Sequence, residues 1–209
     1  MFEKIIKKIP GMIKLARALG LSSNYTNKRK FLLDMLPKNS VGAEIGVHMG
    51  DFSRQILDVV SPKELHLIDP WKHEESTTYK NALYGGLAQN GQAEMDERFL
   101  KVCSRFDKEI RGGLVKIDRG YSVDILNGFS DGYFDWIYID GNHLYEYVKK
   151  DLGLSFLKTR AEGYITGDDY VEGGWWDGGV KKAVDEFVKT QFAELIEIRN
   201  GQYILRRKS

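Results

Sequence analysis

The sequence has little cysteine and no long apolar run. Cys103 is the only cysteine among 209 residues, so no disulfide can form within the chain. No apolar stretch reaches 18 residues and no secretory signal is recognisable, so we expect a cytoplasmic protein without a membrane-spanning helix. Hydrophobic residues make up 42% of the chain, enough for one sizeable core.

The net charge of +1 conceals a basic N-terminal segment. Residues 1–30 carry eight Lys or Arg and one Glu, a charge of +7 that leaves −6 for the remainder, because 7 − 6 = +1. Apolar residues recur at helical spacing there, so we expect residues 1–38 to form a basic amphipathic helical segment before a domain at 39–209. The segment could contact a membrane surface, its own domain or a second copy of the chain. Nucleic-acid binding is not expected, because the remaining chain is acidic.

One short apolar run carries the clearest functional signal. Residues 135–143 read DWIYIDGNH, which is typical of a buried parallel strand that ends at an acid, Asp140, with His143 three residues later. Open α/β sheets bind their ligands at the carboxyl edge of the strands. We therefore expect Asp140 and His143 to lie at that edge.

An earlier strand leads into a glycine-containing turn. The spacing is Glu44-x-Gly46-x-x-x-Gly50, which differs from the Gly-x-Gly-x-x-Gly pattern of dinucleotide sites. The Glu44 carboxylate would repel a pyrophosphate, whereas it suits a cationic or hydroxyl-rich ligand. Glycines in a tight turn are equally consistent with a purely structural role.

Two further positions fit a nucleoside site. Asp69 ends the next strand, 25 residues after Glu44, where an acid receives ribose hydroxyls in βαβ nucleoside sites; a solvated strand end is the alternative. A third strand, 114–118, precedes a loop in which Ser122 could border a planar base.

A second group of acids follows the strand at 163–167. If this strand neighbours 135–140, then Asp168 and Asp169 converge with Asp140. Three clustered carboxylates repel one another unless a cation intervenes or a proton is shared. Oxygen ligands favour Mg²⁺, Ca²⁺ or Mn²⁺, and His143 would stand beside the ion; a structural role for this histidine is the alternative.

Strands alternate with helical patterns along the chain. We predict helices at 28–36, from 51, at 93–110, 144–157 and 180–190, and a hairpin at 194–205. This order predicts an α/β fold, a Rossmann-like, mostly parallel seven-stranded sheet with an antiparallel C-terminal hairpin and helices on both faces. The connection 72–92 could form a lid, and Trp175 and Trp176 could stack on a substrate or cover the core edge.

Together these motifs resemble a class I S-adenosylmethionine-dependent methyltransferase. The resemblance covers residues 40–206 and is strongest to the metal-dependent O-methyltransferase-like group that includes sugar-modifying enzymes of macrolide biosynthesis. It rests on the glycine turn, on Ile139-Asp140-Gly141-Asn142-His143, and on Gly167-Asp168-Asp169-Tyr170 followed by Gly179-Val180.

The resemblance implies a role for each site residue. Glu44, Gly46 and Gly50 would line the methionine end of S-adenosylmethionine, and Asp69 would hold its ribose. Asp140, Asp168 and Asp169 would bind a divalent cation, Mg²⁺ by expectation, and His143 would deprotonate the acceptor. The acceptor would be a hydroxyl of a small molecule such as a saccharide.

Three alternatives share parts of this pattern. Hydroxylase-like proteins of antibiotic biosynthesis share much of it. A nicotinamide-dependent oxidoreductase shares the fold, although the glycine spacing and Glu44 argue against it. A non-catalytic carbohydrate- or metal-binding module would need the acids only as turn caps.

Overall fold

The computed structural model describes residues 23–209. Of the basic amphipathic segment predicted at 1–38, residues 1–22 lie outside the described residues. Among the helices that the structure describes, none is long and apolar enough to cross a lipid bilayer.

Seven strands form a single sheet in the order β3-β2-β1-β4-β5-β7-β6. The strands are β1 Val41–Ile45, β2 Glu64–Asp69, β3 Val115–Arg119, β4 Phe134–Ile139, β5 Thr159–Gly167, β6 Ala193–Arg199 and β7 Gln202–Arg207. The first five pair in parallel, while β7 pairs antiparallel with both β5 and β6. The predicted fold class is therefore confirmed.

Helices cover both faces of this sheet. They are α1 Ser23–Met35, α2 Asp51–Val60, α3 Gly91–Arg105, α4 Asp107–Arg111, α5 Ser122–Asn127, α6 Tyr145–Lys158 and α7 Gly179–Lys189. In β4, Trp136 and Tyr138 face one core with α1, α2 and α3, whereas Ile137 and Ile139 face the other with α5, α6 and α7. Burial on both faces explains why this strand reads as a continuous apolar run.

Helix α1 belongs to the packed body of the protein. Leu32, Leu33 and Leu36 are buried in the same core as the first face of the sheet. The side-chain amide of Asn200, in the β6–β7 turn, donates to the carbonyl of Lys28 at 3.2 Å. These contacts place α1, which belongs to the described part of the basic segment, against the carboxyl edge of the sheet.

Some element boundaries differ from those predicted. The helix expected at 93–110 is divided into α3 and α4 at Phe106, whose fully buried ring packs into the core while its backbone leaves helical geometry. Ser122 opens the unpredicted helix α5, and a 3₁₀ turn, Thr77–Tyr79, lies within the 72–92 connection. Strand β5 begins before residue 163, with an irregularity in its pairing with β4.

Candidate functional site

The acids predicted to converge do so at the carboxyl edge of neighbouring strands. Ile139, the last residue of β4, is in register with Ile45 of β1 and with Gly167 of β5. The backbone N–H of Asp140 donates to Ile45 at 2.7 Å, and that of Asp168 donates to Ile139 at 3.2 Å. The sheet itself therefore brings the residues after β4 and β5 together, beside the end of β1.

Three of these side chains form a compact triad. Asp140, His143 and Asp169 each offer a ligand atom, and these atoms lie within 4.8 Å of one another. His143 Nε2 is 3.5 Å from Asp140 Oδ1, and Nδ1 is 3.3 Å from Asp169 Oδ2. Both ring nitrogens are buried, and neither has a hydrogen-bond partner among the described residues. A buried ring nitrogen without a well-aligned hydrogen bond, beside two carboxylates, fits one ligand position of a divalent cation.

The electrostatics of the triad also call for a cation. Burial alone would lower the pKa of His143, but Asp140, Asp169 and Asp168 together raise it. Burial raises the pKa of Asp169 above its ordinary value, and the nearby His143 opposes that shift. The neighbouring charge of Asp140 adds to the rise in the pKa of Asp169.

Asp168, also predicted as an ion ligand, has other partners. One carboxylate oxygen pairs with the guanidinium of Arg29, and the other accepts from the Gln202 amide and, at 2.8 Å, from the backbone N–H of Asp169. Arg29 also lies 3.2 Å from Asp140 Oδ2. The sequence contained no local signal for this pairing, because Arg29 and Asp168 are 139 residues apart.

The predicted glycine turn lies at the switch point between β1 and β4. Gly46 has φ +88°, and a side chain there would overlap the backbone carbonyl of Asp140. Gly50 has φ +73° and immediately precedes α2, where a Cβ would crowd the Phe106 ring. Only glycine fits at position 46, and the turn therefore packs directly against the end of β4.

Asp69 holds this turn in place. Its carboxylate accepts from the backbone N–H groups of Val47 at 2.9 Å, His48 at 3.0 Å and Trp71 at 2.7 Å. A carboxylate can accept about four hydrogen bonds, so capacity for one further donor, such as a ribose hydroxyl, remains. The ribose role of Asp69 stays a prediction.

Glu44 is turned into the protein interior. It is 1% exposed and accepts a hydrogen bond from the Ser53 hydroxyl. Burial raises the pKa of Glu44 to about 8, against the opposing effect of the Ser53 hydrogen bond. Glu44 thus lies beneath the glycine turn, and its predicted contact with the cofactor stays a prediction.

Ser122 is engaged by a buried acid. Its hydroxyl donates to Asp151 of α6, and burial raises the pKa of Asp151 to about 6. The structure thus places Ser122 at the start of α5, next to the third strand end, and its contact with a base stays a prediction.

Aromatic side chains border the triad. Tyr79 and Tyr84 of the 72–92 connection lie 5.6 Å and 6.1 Å from Trp175 between ring centroids, and we call these three residues the aromatic wall. The Asn142 amide donates to the Tyr79 hydroxyl at 2.9 Å, and Trp175 lies 6.1 Å from the His143 ring. The 72–92 connection therefore contacts this edge, and its role as a lid stays a prediction. Trp176 packs against the core and meets His143 edge-on at 4.9 Å.

Comparison with known proteins identifies a family. A family model described as "Methyltransferase domain" matches residues 43–170. No curated protein sequence matches the chain.

Three solved structures resemble the fold. The O-methyltransferase TomG from Streptomyces achromogenes, involved in tomaymycin synthesis and solved with S-adenosylmethionine, is 16% identical, with TM-score 0.59 over 90% of this chain and 81% of that one. The O-methyltransferase NovP is 21% identical, with TM-score 0.59 over 87% and 80%. The N-methyltransferase NodS from Bradyrhizobium japonicum WM9 is 14% identical, with TM-score 0.57 over 90% and 99%. At these identities the likeness concerns the fold, which carries methyl transfer to oxygen and to nitrogen.

Proposed function

This chain belongs to the methyltransferase-domain family, and from that premise we propose that it transfers a methyl group from S-adenosylmethionine to a hydroxyl oxygen of a small molecule, assisted by a divalent cation. Cofactor use follows from the family, whereas the acceptor atom and the need for an ion are the proposal. The macrolide sugar subgroup remains a prediction.

One observation carries this proposal: the glycine turn and the triad are in direct contact. Gly46 passes so close to Asp140 that no side chain fits between them, and Asp140 is a member of the triad. A ligand on the turn would therefore lie next to an ion in the triad. Methyl transfer needs this proximity, because most of the rate gain comes from holding the reacting groups in line.

The chain's own residues supply binding and orientation for the cofactor. The turn from Gly46 to Gly50 lies at the carboxyl edge of the sheet, and Asp69 keeps it in one conformation through hydrogen bonds from the backbone N–H groups of Val47 and His48. S-adenosylmethionine, when bound, supplies the methyl group on a sulfonium that is already a good leaving group.

The triad would prepare the acceptor. Asp140, His143 and Asp169 have the donor atoms for a divalent ion. Such an ion, when bound, lowers the pKa of a coordinated hydroxyl and orients it. In this arrangement one ring nitrogen of His143 would hold the ion, and the proton released from the coordinated hydroxyl would pass to solvent. The base role assigned to His143 from the sequence stays a prediction.

The surroundings favour an acceptor with a flat or weakly polar face. Aromatic rings stack well on sugar rings and other planar groups, and the aromatic wall stands beside His143. An acceptor with two neighbouring hydroxyls could approach the ion while its ring contacts Trp175. We propose a saccharide or another vicinal diol as the substrate class.

The test is release of S-adenosylhomocysteine from S-adenosylmethionine with a panel of vicinal diols, catechols, single alcohols and amines. We expect turnover with vicinal oxygens, loss of turnover with a chelator, and recovery on adding a divalent ion. Asp169→Asn should lower turnover at least about a hundredfold, whereas the exposed control Asp177→Asn should retain it. Methylation of amines alone, or turnover unaffected by chelation, would contradict the proposal.

A further inference from the structure

Asp168 and Asp169 are adjacent in sequence, yet they face different partners. Asp169 has φ +58°, a left-handed backbone, and its Oδ2 faces His143 Nδ1 at 3.3 Å. Asp168 points instead to Arg29 and Gln202. Because the backbone adopts a left-handed conformation at Asp169, the carboxylate of Asp169 lies in the triad and that of Asp168 lies outside it.

Arg29 is held firmly in this position. Its guanidinium lies 4.7 Å from the Phe52 ring centroid and 5.7 Å from that of Tyr138, so aromatic surface supports it. Leu32 and Leu33, one turn further along α1, anchor the helix in the core. Arginine is permanently charged, and its planar fork suits two carboxylates at once. Arg29 meets both Asp140 and Asp168 in this way.

Both carboxylate oxygens of Asp168 already have partners. Three donors reach its two oxygens: the Arg29 guanidinium, the Gln202 amide and the backbone N–H of Asp169. Ligation by Asp168 would compete with these bonds at either oxygen, whereas Asp140 meets Arg29 only through Oδ2 and keeps Oδ1 facing His143. By contrast, neither ring nitrogen of His143 makes a well-aligned hydrogen bond, so one of them is free to bind an ion.

We propose that Arg29 is a positioning residue that withdraws Asp168 from the ion site, so that Asp140, His143 and Asp169 are its protein ligands and a transition ion such as Mn²⁺ binds in preference to Mg²⁺. This inference rests on the ion dependence in the proposed function. Two carboxylates balance the charge of a divalent ion, and the third is balanced by Arg29. An imidazole ligand favours first-row transition ions, whereas Mg²⁺ prefers oxygen ligands and its own water.

The direct test measures Mn²⁺ binding to the metal-stripped full chain by electron paramagnetic resonance. Mg²⁺ is then added as a competitor. Asp168→Asn and Asp169→Asn are a matched pair that removes the same charge from adjacent positions. Asp169→Asn should weaken Mn²⁺ binding at least about tenfold, whereas Asp168→Asn should change it less than about threefold. Equal losses in the two variants would overturn the inference.

Arg29→Met tests the cause. Freed from Arg29, Asp168 can add a third carboxylate, so Mg²⁺ affinity should rise by about tenfold relative to Mn²⁺ affinity. Lys30→Met is the control, because Lys30 is exposed and pairs with Asp34, and it should change the Mg²⁺ affinity less than about twofold. An unchanged preference in a folded Arg29→Met protein would overturn the inference. If that variant fails to fold, the aspartate pair decides.

The outcomes also separate this inference from the proposed function. Absence of Mn²⁺ and Mg²⁺ binding to the unsubstituted chain would overturn ion dependence and this inference together. Tight ion binding with equal dependence on Asp168 and Asp169 would overturn the inference alone and leave ion-assisted methyl transfer in place.

Discussion

Gly46 and Asp140 touch across the switch point of the sheet, where a Cβ on Gly46 would overlap the carbonyl oxygen of Asp140. The two residues immediately follow the neighbouring strands β1 and β4, between which the strand order reverses. Open α/β sheets bind ligands in the crevice at such a point. The contact therefore joins the predicted cofactor turn to the candidate ion site through backbone alone.

Gly46→Ala should destabilise the protein strongly. The substitution combines a left-handed φ with overlap against backbone, and we expect a loss of about 2–5 kcal/mol in the free energy of unfolding. Gly113→Ala is the control, since Gly113 has φ +76° but no atom within 4 Å of its Cβ position, and should lose about 1 kcal/mol. Urea unfolding measures both. Equal losses of stability in the two variants would contradict the role of the contact with Asp140, because backbone strain alone would then explain the effect of Gly46→Ala.

Asp69→Asn should weaken cofactor binding by loosening the glycine turn. Loss of the charge weakens three hydrogen bonds from backbone N–H groups, and we expect the Kd for S-adenosylhomocysteine to rise about tenfold. Asp51→Asn removes a charge from the nearby start of α2, where the side chain is 73% exposed, and should change the Kd less than about twofold. Calorimetric titration compares the two variants, and similar Kd values for both would count against Asp69.

Asp151 should make the protein less stable as pH rises from about 4 to about 6. Burial raises its pKa to about 6 in the fold, so the folded state favours the protonated form. The resulting stabilisation is fully present below the unfolded pKa of about 3.9 and is lost as pH rises through the folded pKa. The free energy of unfolding falls by about 3 kcal/mol over this range. Asp151→Asn should lack this decrease. Denaturation at pH 4 and pH 7.5 tests this, and parallel pH profiles for both proteins would contradict it.

His66 should contribute a second pH dependence at higher pH. Its burial would lower the pKa, but hydrogen bonds to Asp118 at 2.7 Å and Glu64 at 3.1 Å outweigh that effect and raise it. The stabilisation is therefore complete below the unfolded pKa of about 6.5 and is lost as pH rises through the raised folded value. His66→Gln should flatten this part of the stability profile above pH 6.5. If the stability of the variant depends on pH as steeply as that of the unsubstituted protein, the hydrogen bonds of His66 to Asp118 and Glu64 are not the source of this pH dependence.

The fold was predictable because each strand carries its own local signal. The run ending at Ile139 is apolar on both faces, and Asp69 and Asp140 mark strand ends that a parallel sheet brings to one edge. The convergence of Asp140 with Asp168 and Asp169 follows from this topology, and the structure contains it.

The side-chain partners of the individual site residues were not predictable in the same way. The partners of Asp168 and Ser122 are Arg29 and Asp151, which lie 139 and 29 residues away and belong to helices whose local pattern does not distinguish those positions. Side-chain pairing between distant elements depends on the rotation of packed helices, which periodicity specifies only coarsely. The proposed ligand role of His143 likewise rests on the position of its buried ring nitrogens, which only the structure shows.

The most direct test of the account is calorimetric titration of the metal-stripped full chain with S-adenosylhomocysteine, with and without Mn²⁺. The account predicts binding with a Kd in the micromolar range, about −8 kcal/mol, and tighter binding when the ion is present, since the turn and the triad meet at Gly46 and Asp140. Absence of binding in both conditions would contradict the assignment of this sheet edge to S-adenosylmethionine.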